Sequence, residues 1–421
     1  MPNVQSHMNS SPILEIELTS LVYGGDAFGR LPDGRAVFVP FALPGERVAV
    51  RLVEERKRYA RAELVDVLRP SEQRELPRCQ HYGVCGGCHY QHLSYAGQLA
   101  AKQAILREQL QRIAGIPDPP VAATVPSPLP WAYRNHVQFH QTESGALGFH
   151  KVLSEQVFEL KECHLPETVL GTLWPQLDFE RLPGLERIGL RLGAGEDAQL
   201  ILESSLPDTP ELSVEELPLS VVHLSPWGAL VLAGSQSLEI DVLGRSFRVS
   251  AGSFFQANTP VAESMVAHLL DILPLEPHMT VLELYCGVGL FSAFLAEGVG
   301  RLVGVELSPS SCADFEANLD EFENVELYEA SAEQVIGALD LQPQIVLVDP
   351  PRAGLGKEVA EAIAAMRPER IAYVSCDPAT LARDGTAFLA AGYRLARITP
   401  FDAFPQTYHI ESISLWEKGE E

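Results

Sequence analysis

Residues 281–289 read Val-Leu-Glu-Leu-Tyr-Cys-Gly-Val-Gly, an apolar run that ends in a glycine-rich turn. Such a run is typical of a buried parallel strand, and its glycines let the backbone approach a ligand closely. The next apolar run ends in Glu306, whose carboxylate could accept hydrogen bonds from both hydroxyls of a ribose. The GxGxxG pattern of dinucleotide sites is not completed after Gly289. The pattern therefore favours a nucleoside ligand without a pyrophosphate, and S-adenosylmethionine (SAM) fits best, with another nucleoside as the alternative.

Apolar runs and helical stretches alternate around this turn. This rhythm predicts a doubly wound α/β domain of the Rossmann-like type over residues 246–421. The runs suited to buried parallel strands are residues 280–284, 302–305, 325–328, 345–348 and 371–375.

Two further units precede this domain. Residues 12–70 contain short strands separated by Gly and Pro turns, without a helix, and predict a small barrel of the oligonucleotide-binding (OB) type. Residues 71–245 hold a cysteine-rich loop, a helix predicted over 98–113 and further strands, and predict a central α+β domain. The Pro-rich stretch 117–130 is interpreted as a linker.

The composition excludes several classes of protein. The 421 residues are 46% hydrophobic and 21% charged, which is typical of a globular chain and not of a disordered one. The sequence contains neither a run of 18 apolar residues nor a secretory signal, so we expect no membrane association and a cytoplasmic location. Nothing in the sequence indicates an obligate protein partner.

The net charge of −25 argues against a nucleic-acid partner until its distribution is considered. Residues 1–115 carry 14 Lys and Arg against 12 Asp and Glu, whereas the rest of the chain carries a net charge of −27. An RNA-binding surface is therefore expected in the first quarter, and the alternative is a solvated strand edge and turn. The candidate residues surround Tyr59 and are Arg51, Arg56, Lys57, Arg58 and Arg61.

Two later strands end in residues that carry chemistry. Asp349-Pro350-Pro351-Arg352 forms a rigid polar turn where ligands bind in such sheets. Cys376 directly precedes Asp377-Pro378, a helix start, and the positive end of a helix is expected to lower the pKa of its thiol. The alternative is a small buried cysteine, which is how we interpret Cys286 and Cys312.

An acid opens the last apolar strand. Glu411 precedes residues 412–416, and an acid at a strand mouth is usually a solvated surface residue. It becomes a candidate general base if this strand belongs to the same sheet as Cys376.

The remaining four cysteines form a separate group. Cys79, Cys85 and Cys88 are closely spaced, and Cys163 lies far along the chain. Four thiolates select an iron–sulfur cluster or zinc, and the spacing alone favours neither strongly. Zinc stays open because histidines lie nearby, at His81, His89 and His92.

Taken together, these motifs resemble the RNA uracil-5 methyltransferases, and among them the type that acts on ribosomal RNA. The resemblance covers essentially the whole chain, and the order and spacing of the motifs make it specific. The matching stretches are Cys79-x5-Cys85-x2-Cys88 with Cys163, residues 254–258, residues 284–287, residues 349–352, residues 375–378 and residues 409–412.

The resemblance implies an N-terminal TRAM barrel, an iron–sulfur-bearing central domain and a SAM-dependent catalytic domain. It implies Cys376 as nucleophile and Glu411 as base, methylating C5 of a uridine through a covalent adduct between Cys376 and uracil C6. It favours a [4Fe-4S] cluster over zinc on the four cysteines. The implied SAM-binding positions are Gln256, Tyr285, Gly287, Glu306 and Asp349.

Two positions depart from the family pattern, and several readings stay open. Leu290 stands where members often have Asn, and Ser331 stands where many SAM enzymes have an acid, so SAM contacts there are in doubt. Ribosomal RNA is the favoured substrate, with transfer RNA second. The competing functions are a SAM-dependent methyltransferase for a nucleobase amine, which has no use for Cys376, and a non-catalytic RNA-binding module.

Overall fold

A closed five-stranded barrel opens the described chain, which in this computed structural model comprises residues 12–209 and 219–419. Valines at alternating positions fill its interior and are fully buried. Closure leaves no strand edge unpaired, and the predicted barrel is confirmed. Its strands run in the order β1-β2-β3-β5-β4: β1 (Ile13–Leu21), β2 (Ala27–Arg30), β3 (Ala36–Val39), β4 (Arg47–Glu55) and β5 (Tyr59–Arg69).

One helix leads out of the barrel. Helix α1 (Tyr95–Gln109) begins at an N-cap, Ser94, whose hydroxyl accepts a hydrogen bond from the Gly97 N–H. A π-helical turn over Leu110–Ala114 follows, and Gly115 ends it with a φ of 70°. The helix predicted over 98–113 is confirmed, with an earlier start.

A seven-stranded sheet forms the middle of the molecule. The order is β12-β11-β10-β9-β6-β7-β8, and apolar side chains of its strands pack with a short helix in one core. A two-stranded hairpin then packs against the C-terminal core. The elements are β6 (His136–Gln141), β7 (Leu147–His150), β8 (Val157–Glu159), α2 (Thr168–Leu173), β9 (Leu185–Leu192), β10 (Ala198–Ser204), β11 (Leu219–Ser225), β12 (Gly228–Ala233), β13 (Ser237–Val242) and β14 (Arg245–Ser250).

The C-terminal part is a doubly wound α/β sheet, as predicted. Its order is β17-β16-β15-β18-β19-β21-β20; the first five strands are parallel, and β21 runs antiparallel between β19 and β20. Successive residues of each central strand face two separate cores, one on each side of the sheet. The elements are α3 (Thr259–Ile272), β15 (Thr280–Leu284), α4 (Leu290–Leu295), β16 (Arg301–Glu306), α5 (Pro309–Asn318), β17 (Val325–Glu329), α6 (Ala332–Val335), β18 (Ile345–Val348), α7 (Gly356–Ala365), β19 (Arg370–Ser375), α8 (Pro378–Ala390), β20 (Tyr393–Phe401) and β21 (Glu411–Lys418).

The stretch interpreted as a linker is instead attached to this sheet. Val121 and Val125 form parallel bridges with Ile398 and Phe401 of β20. The N–H of Val125 donates to the Pro400 carbonyl at 2.8 Å. Backbone pairing therefore ties the segment between α1 and the central sheet to the edge of the catalytic sheet.

A buried ion pair fixes α1 against the loop between β20 and β21. Lys102 and Asp402 are both fully buried, and Nζ of Lys102 donates to Oδ1 of Asp402 and to the Phe404 carbonyl.

None of the helices in residues 12–209 and 219–419 combines the length and apolarity needed to cross a bilayer.

Candidate active site

The carboxyl ends of the central parallel strands form one rim. Glu306 is the last residue of β16, Asp349 follows β18, and Cys376 follows β19. Leu284 at the end of β15 pairs with Val348, and Val348 pairs with Tyr373. The sheet thus brings these sequence-predicted residues to the same edge, where doubly wound proteins bind their ligands.

The antiparallel strand β21 brings Glu411 to this rim. Ser375, the last residue of β19, pairs with Ser412 of β21. Cys376 and Glu411 are the next residues beyond this last pair, and Glu411 lies close enough to raise the pKa of the Cys376 thiol. The predicted nucleophile and base are therefore neighbours across two strands, in one sheet, as the hypothesis for Glu411 required.

The electrostatics around Cys376 differ from the expectation. Burial, and then the carboxylates of Glu411 and Asp349, raise the pKa of the thiol to about 12, although Arg352 acts in the opposite direction. The expectation that the helix start lowers this pKa is wrong. The N-cap of α8 is Asp377, whose negative charge offsets the positive helix end and further disfavours thiolate.

The carboxyl groups at the rim are also shifted. Burial raises the pKa of Glu411 to about 8; Asp349 raises it further, while Arg352 and Lys102 lower it. Burial raises the pKa of Asp349 to about 7. A carboxyl group that titrates near neutrality can both take up and release a proton, which is the property of a general base.

The glycine-rich turn after β15 adopts the strained backbone that its sequence indicates. Tyr285 has a φ of 62°, a value uncommon outside glycine, and Gly287 and Gly289 have φ values of 55° and 88°. A Cβ atom on Gly289 would lie 2.3 Å from a methyl carbon of Leu319, so only glycine fits there. The turn thus opens a backbone concavity at the rim.

Glu306 is held by this turn. Its Oε2 accepts the Gly287 N–H at 2.9 Å, and Oε1 accepts the N–H groups of Leu307 and Ser308 at 2.7 Å each. A carboxylate has about four acceptor positions. As oriented, Glu306 has room for one ribose hydroxyl rather than the two expected from sequence.

The segment that carries Gln256 is anchored through its backbone. The Nδ2 of Asn135 donates to the Gln256 carbonyl at 3.0 Å, and Asn258 caps α3. The side chain of Gln256 has no hydrogen-bond partner in the described part of the chain, and two residues earlier Phe254 is 70% exposed. The amide is therefore available to a ligand.

The two departures from the family pattern have structural explanations. Leu290, the first residue of α4, is 6% exposed and belongs to the core on one face of the sheet. Ser331 is the N-cap of α6, since its hydroxyl accepts the Gln334 N–H. Both residues serve the local fold.

The four remaining cysteines influence one another although Cys163 is distant in sequence. Burial raises the pKa of each thiol; Cys163 and Cys85 further raise that of Cys88, and Cys85 and Cys79 further raise that of Cys163. All seven cysteines of the chain are free thiols. Residues 12–209 and 219–419 contain no group of three His, Cys, Asp or Glu side chains arranged to hold one metal ion.

Two of the three histidines that kept zinc open, His81 and His92, have other partners. The Nε2 of His81 accepts the Lys161 N–H at 3.0 Å, and Nδ1 of His92 bonds to the Tyr82 hydroxyl. The Nδ1 atom of His89 has no hydrogen-bond partner among the described residues, so zinc stays open beside an iron–sulfur cluster.

Sequence reasoning missed two residues that contact this region. Lys102 lies behind Glu411 and lowers its pKa, and Tyr23 of the barrel donates a hydrogen bond to Asp377. Lys102 carried a signal, because it lies on the apolar face of α1 with Ile105 and Leu106. Tyr23 carried none.

Comparison with known proteins is consistent with this geometry. The model of the tRNA (uracil-5-)-methyltransferase family matches residues 233–419, and that of the TRAM domain matches residues 13–65. The Pyrococcus abyssi tRNA (uracil-54, C5)-methyltransferase, solved with S-adenosyl-L-homocysteine, has the same fold: the TM-score is 0.72 at 23% identity, over 95% of this chain and 100% of that one.

Full-length relatives extend the match. A protein of Aquifex aeolicus named as an uncharacterized RNA methyltransferase is 34% identical, over 96% of this chain and 98% of the relative. A protein of Thermosynechococcus vestitus with the same description is 33% identical, over 96% and 97% of the two chains. The chain is therefore an RNA methyltransferase and belongs to the RNA uracil-5 methyltransferase family.

Proposed function

We propose that this enzyme transfers a methyl group from SAM to C5 of a uridine in RNA, with Cys376 as the nucleophile and Glu411 as the base. The observation that carries the proposal is the pairing of Ser375 with Ser412, which sets the thiol and the carboxyl group across from each other. Nucleophile and base must act on adjacent carbons of one ring, and this placement suits that requirement.

The chemistry needs both residues. Uracil C5 is a poor nucleophile until sulfur adds to C6, which moves the electron pair of the C5–C6 double bond towards C5 and O4. The raised pKa of Cys376 keeps the resting thiol protonated, so its proton passes to solvent water as the sulfur attacks C6. SAM, when bound, supplies the methyl group that C5 takes.

Product release is the task of Glu411. After methylation, C5 holds both a hydrogen and a methyl group, and the carboxylate takes the hydrogen as a proton. The electron pair of that C–H bond restores the C5–C6 double bond and expels the Cys376 sulfur. The pKa of about 8 lets Glu411 pass this proton on to solvent near neutral pH.

The cofactor would lie over the glycine-rich turn. Glu306 would accept a ribose hydroxyl, Tyr285 and Gly287 would line the turn, and Gln256 and Asp349 would bind polar groups from the opposite side. The free side chain of Gln256 and the position of Asp349 directly after β18, at the rim, support these assignments.

The four cysteines would hold a [4Fe-4S] cluster. Thiolates of Cys79, Cys85, Cys88 and Cys163 are the ligand type that such clusters take, and their mutual effect on pKa places them within electrostatic reach. The cluster would join the loop after the barrel to the central sheet, as a structural clamp.

The RNA class rests on resemblance. Ribosomal RNA is the favoured substrate, because the motifs, including the four cysteines, resemble those of the enzymes that act on ribosomal RNA. Transfer RNA is the second candidate, and it is named in both the matched family and the Pyrococcus abyssi structure. The target uridine must be unpaired or flipped out for Cys376 to reach C6. Mapping 5-methyluridine in ribosomal and transfer RNA of cells with and without the gene would separate the two.

Incubation with RNA that contains 5-fluorouridine tests the chemistry directly. Fluorine cannot be removed by Glu411, so the enzyme should stay covalently attached to RNA through Cys376 in the presence of SAM. Protease digestion and mass spectrometry should find the adduct on the peptide that contains Cys376. Methylation without any adduct would favour the nucleobase-amine methyltransferase instead.

A further inference from the structure

The first turn of the barrel reaches the catalytic rim. Tyr23 lies in this turn, between β1 and β2, and its hydroxyl donates to Oδ2 of Asp377 at 2.8 Å. The ring meets that of Tyr408 edge-on, with 5.7 Å between centroids. A side chain of the N-terminal barrel therefore contacts the residue next to Cys376.

The backbone of the turn is shaped for this close approach. Gly24 and Gly25 have φ values of 106° and 96°, which favour glycine. A Cβ atom on Gly25 would lie 3.2 Å from Cβ of His89 and 3.4 Å from the Tyr408 ring. The turn is thus seated firmly against the catalytic domain, and Tyr23 has a fixed position.

The two carboxylate oxygens of Asp377 accept hydrogen bonds from two different parts of the molecule. Its Oδ1 accepts the N–H groups of Ala379 and Thr380, at 2.9 Å each, and so caps α8. Its Oδ2 accepts the Tyr23 hydroxyl. The carboxylate beside the nucleophile is therefore oriented from both sides, once by its own helix and once by the barrel.

We propose that Tyr23 is a positioning residue for the methyl transfer, which holds Asp377 in place and draws its negative charge away from the Cys376 sulfur. A carboxylate that lost this donor would turn its unshared charge towards the sulfur and oppose thiolate formation. The barrel then completes the catalytic site in addition to any role in RNA binding. The inference rests on the proposed role of Cys376.

Tyr23→Phe tests the inference, because it keeps the ring and its contact with Tyr408 and removes only the hydroxyl. A hydrogen bond to a charged group is worth enough to predict a fall in kcat of about 10- to 100-fold. The affinities for SAM and RNA should stay unchanged, and alkylation of Cys376 by iodoacetamide should require a higher pH.

Tyr90→Phe is the matched control. Tyr90 is fully buried at the barrel interface, and its hydroxyl has no hydrogen-bond partner among the described residues. Its removal should leave kcat and the alkylation profile unchanged. Comparable thermal unfolding temperatures of the two variants would establish that both fold.

A double-mutant cycle with Asp377→Asn tests whether Tyr23 acts through Asp377. Asparagine can still cap α8 with its oxygen but carries no charge, so Cys376 should be alkylated at lower pH. Adding Tyr23→Phe to this variant should cause no further shift. Equal shifts in both backgrounds, an unchanged kcat in Tyr23→Phe, or a loss of RNA affinity alone would overturn the inference.

Alkylation of Cys376 needs no RNA, so it separates this inference from the proposed function. If the wild-type enzyme forms no 5-methyluridine in any RNA but Tyr23→Phe still shifts the alkylation profile, the proposed reaction fails and the contact with Asp377 retains its effect on the thiol. An unshifted profile in an enzyme that methylates uridine would reject the role of Tyr23 alone.

Discussion

Cys376 and Glu411 are each the next residue beyond a paired position, Ser375 and Ser412, in the antiparallel ladder between β19 and β21. The reversed strand β21 is what makes this possible, because a sixth parallel strand would place Glu411 at the opposite edge from Cys376. After burial, Glu411 makes the largest contribution to the raised pKa of the Cys376 thiol. The proposed nucleophile and the proposed base therefore have to be understood as a pair.

Replacement of Cys376 by alanine should abolish methylation and leave SAM affinity nearly unchanged, because the thiol acts on uracil rather than on the cofactor. Titration calorimetry with SAM and a radiolabelled methyl-transfer assay measure the two properties. Cys312→Ser is the control: this buried thiol of α5 donates to the Glu306 carbonyl, and a serine hydroxyl can do the same, so its replacement should keep activity. Measurable turnover by Cys376→Ala would reject the assignment.

The variant Glu411→Gln should transfer one methyl group and then stop. Glutamine keeps the size of the side chain but cannot take the C5 proton, so the methylated uridine should remain attached to Cys376. A denaturing gel should resolve a slowly migrating enzyme–RNA adduct whose yield approaches one per active site. Release of free product at the wild-type rate would place the base elsewhere.

The rate of methylation should rise with pH through the titration of Glu411. Its pKa is raised to about 8, and only the deprotonated carboxylate can accept the C5 proton after methyl transfer, so kcat should climb from pH 6 and level near pH 9. The rate of adduct formation by the Glu411→Gln variant should not show the titration near pH 8. Its pH dependence should reflect the ionisation of the Cys376 thiol alone. A flat wild-type profile across this range would contradict the assigned base.

The anaerobically purified enzyme should be brown and contain about four irons and four sulfides per chain. Replacing Cys88 with serine should remove the colour and lower the unfolding temperature, because Cys88 lies buried against Tyr133 and Leu165. Cys286→Ser should retain the iron, since Cys286 belongs to the C-terminal core. Stoichiometric zinc without iron would overturn the cluster assignment.

The basic residues of the barrel should contribute less to RNA binding than their number indicates. Residues 56–58 form the turn between β4 and β5, and Arg56 is paired with Glu54, as Arg51 is with Glu63. Lys57 and Arg58 have no acidic partner among the described residues. They are therefore the strongest candidates for phosphate contacts.

The triple variant Arg56→Ala, Lys57→Ala, Arg58→Ala should weaken RNA binding without affecting SAM. Each lost contact with a single strand should reduce the salt slope by about 0.7 log units per log unit of salt. Filter binding over a range of salt concentrations measures this slope. An unchanged affinity and slope would indicate a solvated hairpin tip and assign RNA binding to the central domain.

Much of the site could be predicted because chemistry-bearing residues follow apolar strands directly. Glu306, Asp349 and Cys376 each mark a strand end, and parallel strands bring such ends together. The pKa of Cys376 could not be predicted this way, since burial raises it most and the charges of Glu411 and Asp349, which raise it further, come from other strands. The Tyr23–Asp377 bond joins residues 354 positions apart, and no local pattern indicates it.

The backbone pairing of the segment before the central sheet could not be predicted from the sequence either. The Pro-rich stretch 117–130 has the composition of a linker, yet Val121 and Val125 pair with β20. Parallel bridges are made by backbone N–H and C=O groups. Every residue has both groups except proline, which lacks the N–H, so side chains give little indication of where such bridges form.

The buried pair of Lys102 and Asp402 restricts how barrels can be exchanged between members of this family. A chimera that joined a foreign barrel and helix to this catalytic sheet would leave Asp402 charged and unpaired in an apolar interior, at a cost of about 3–5 kcal/mol. Only a crossover ahead of α1, or one that transfers a lysine at the same helical position, avoids this penalty. A barrel from a relative without this lysine can therefore be exchanged free of the penalty only ahead of α1, so that the helix stays with the catalytic sheet.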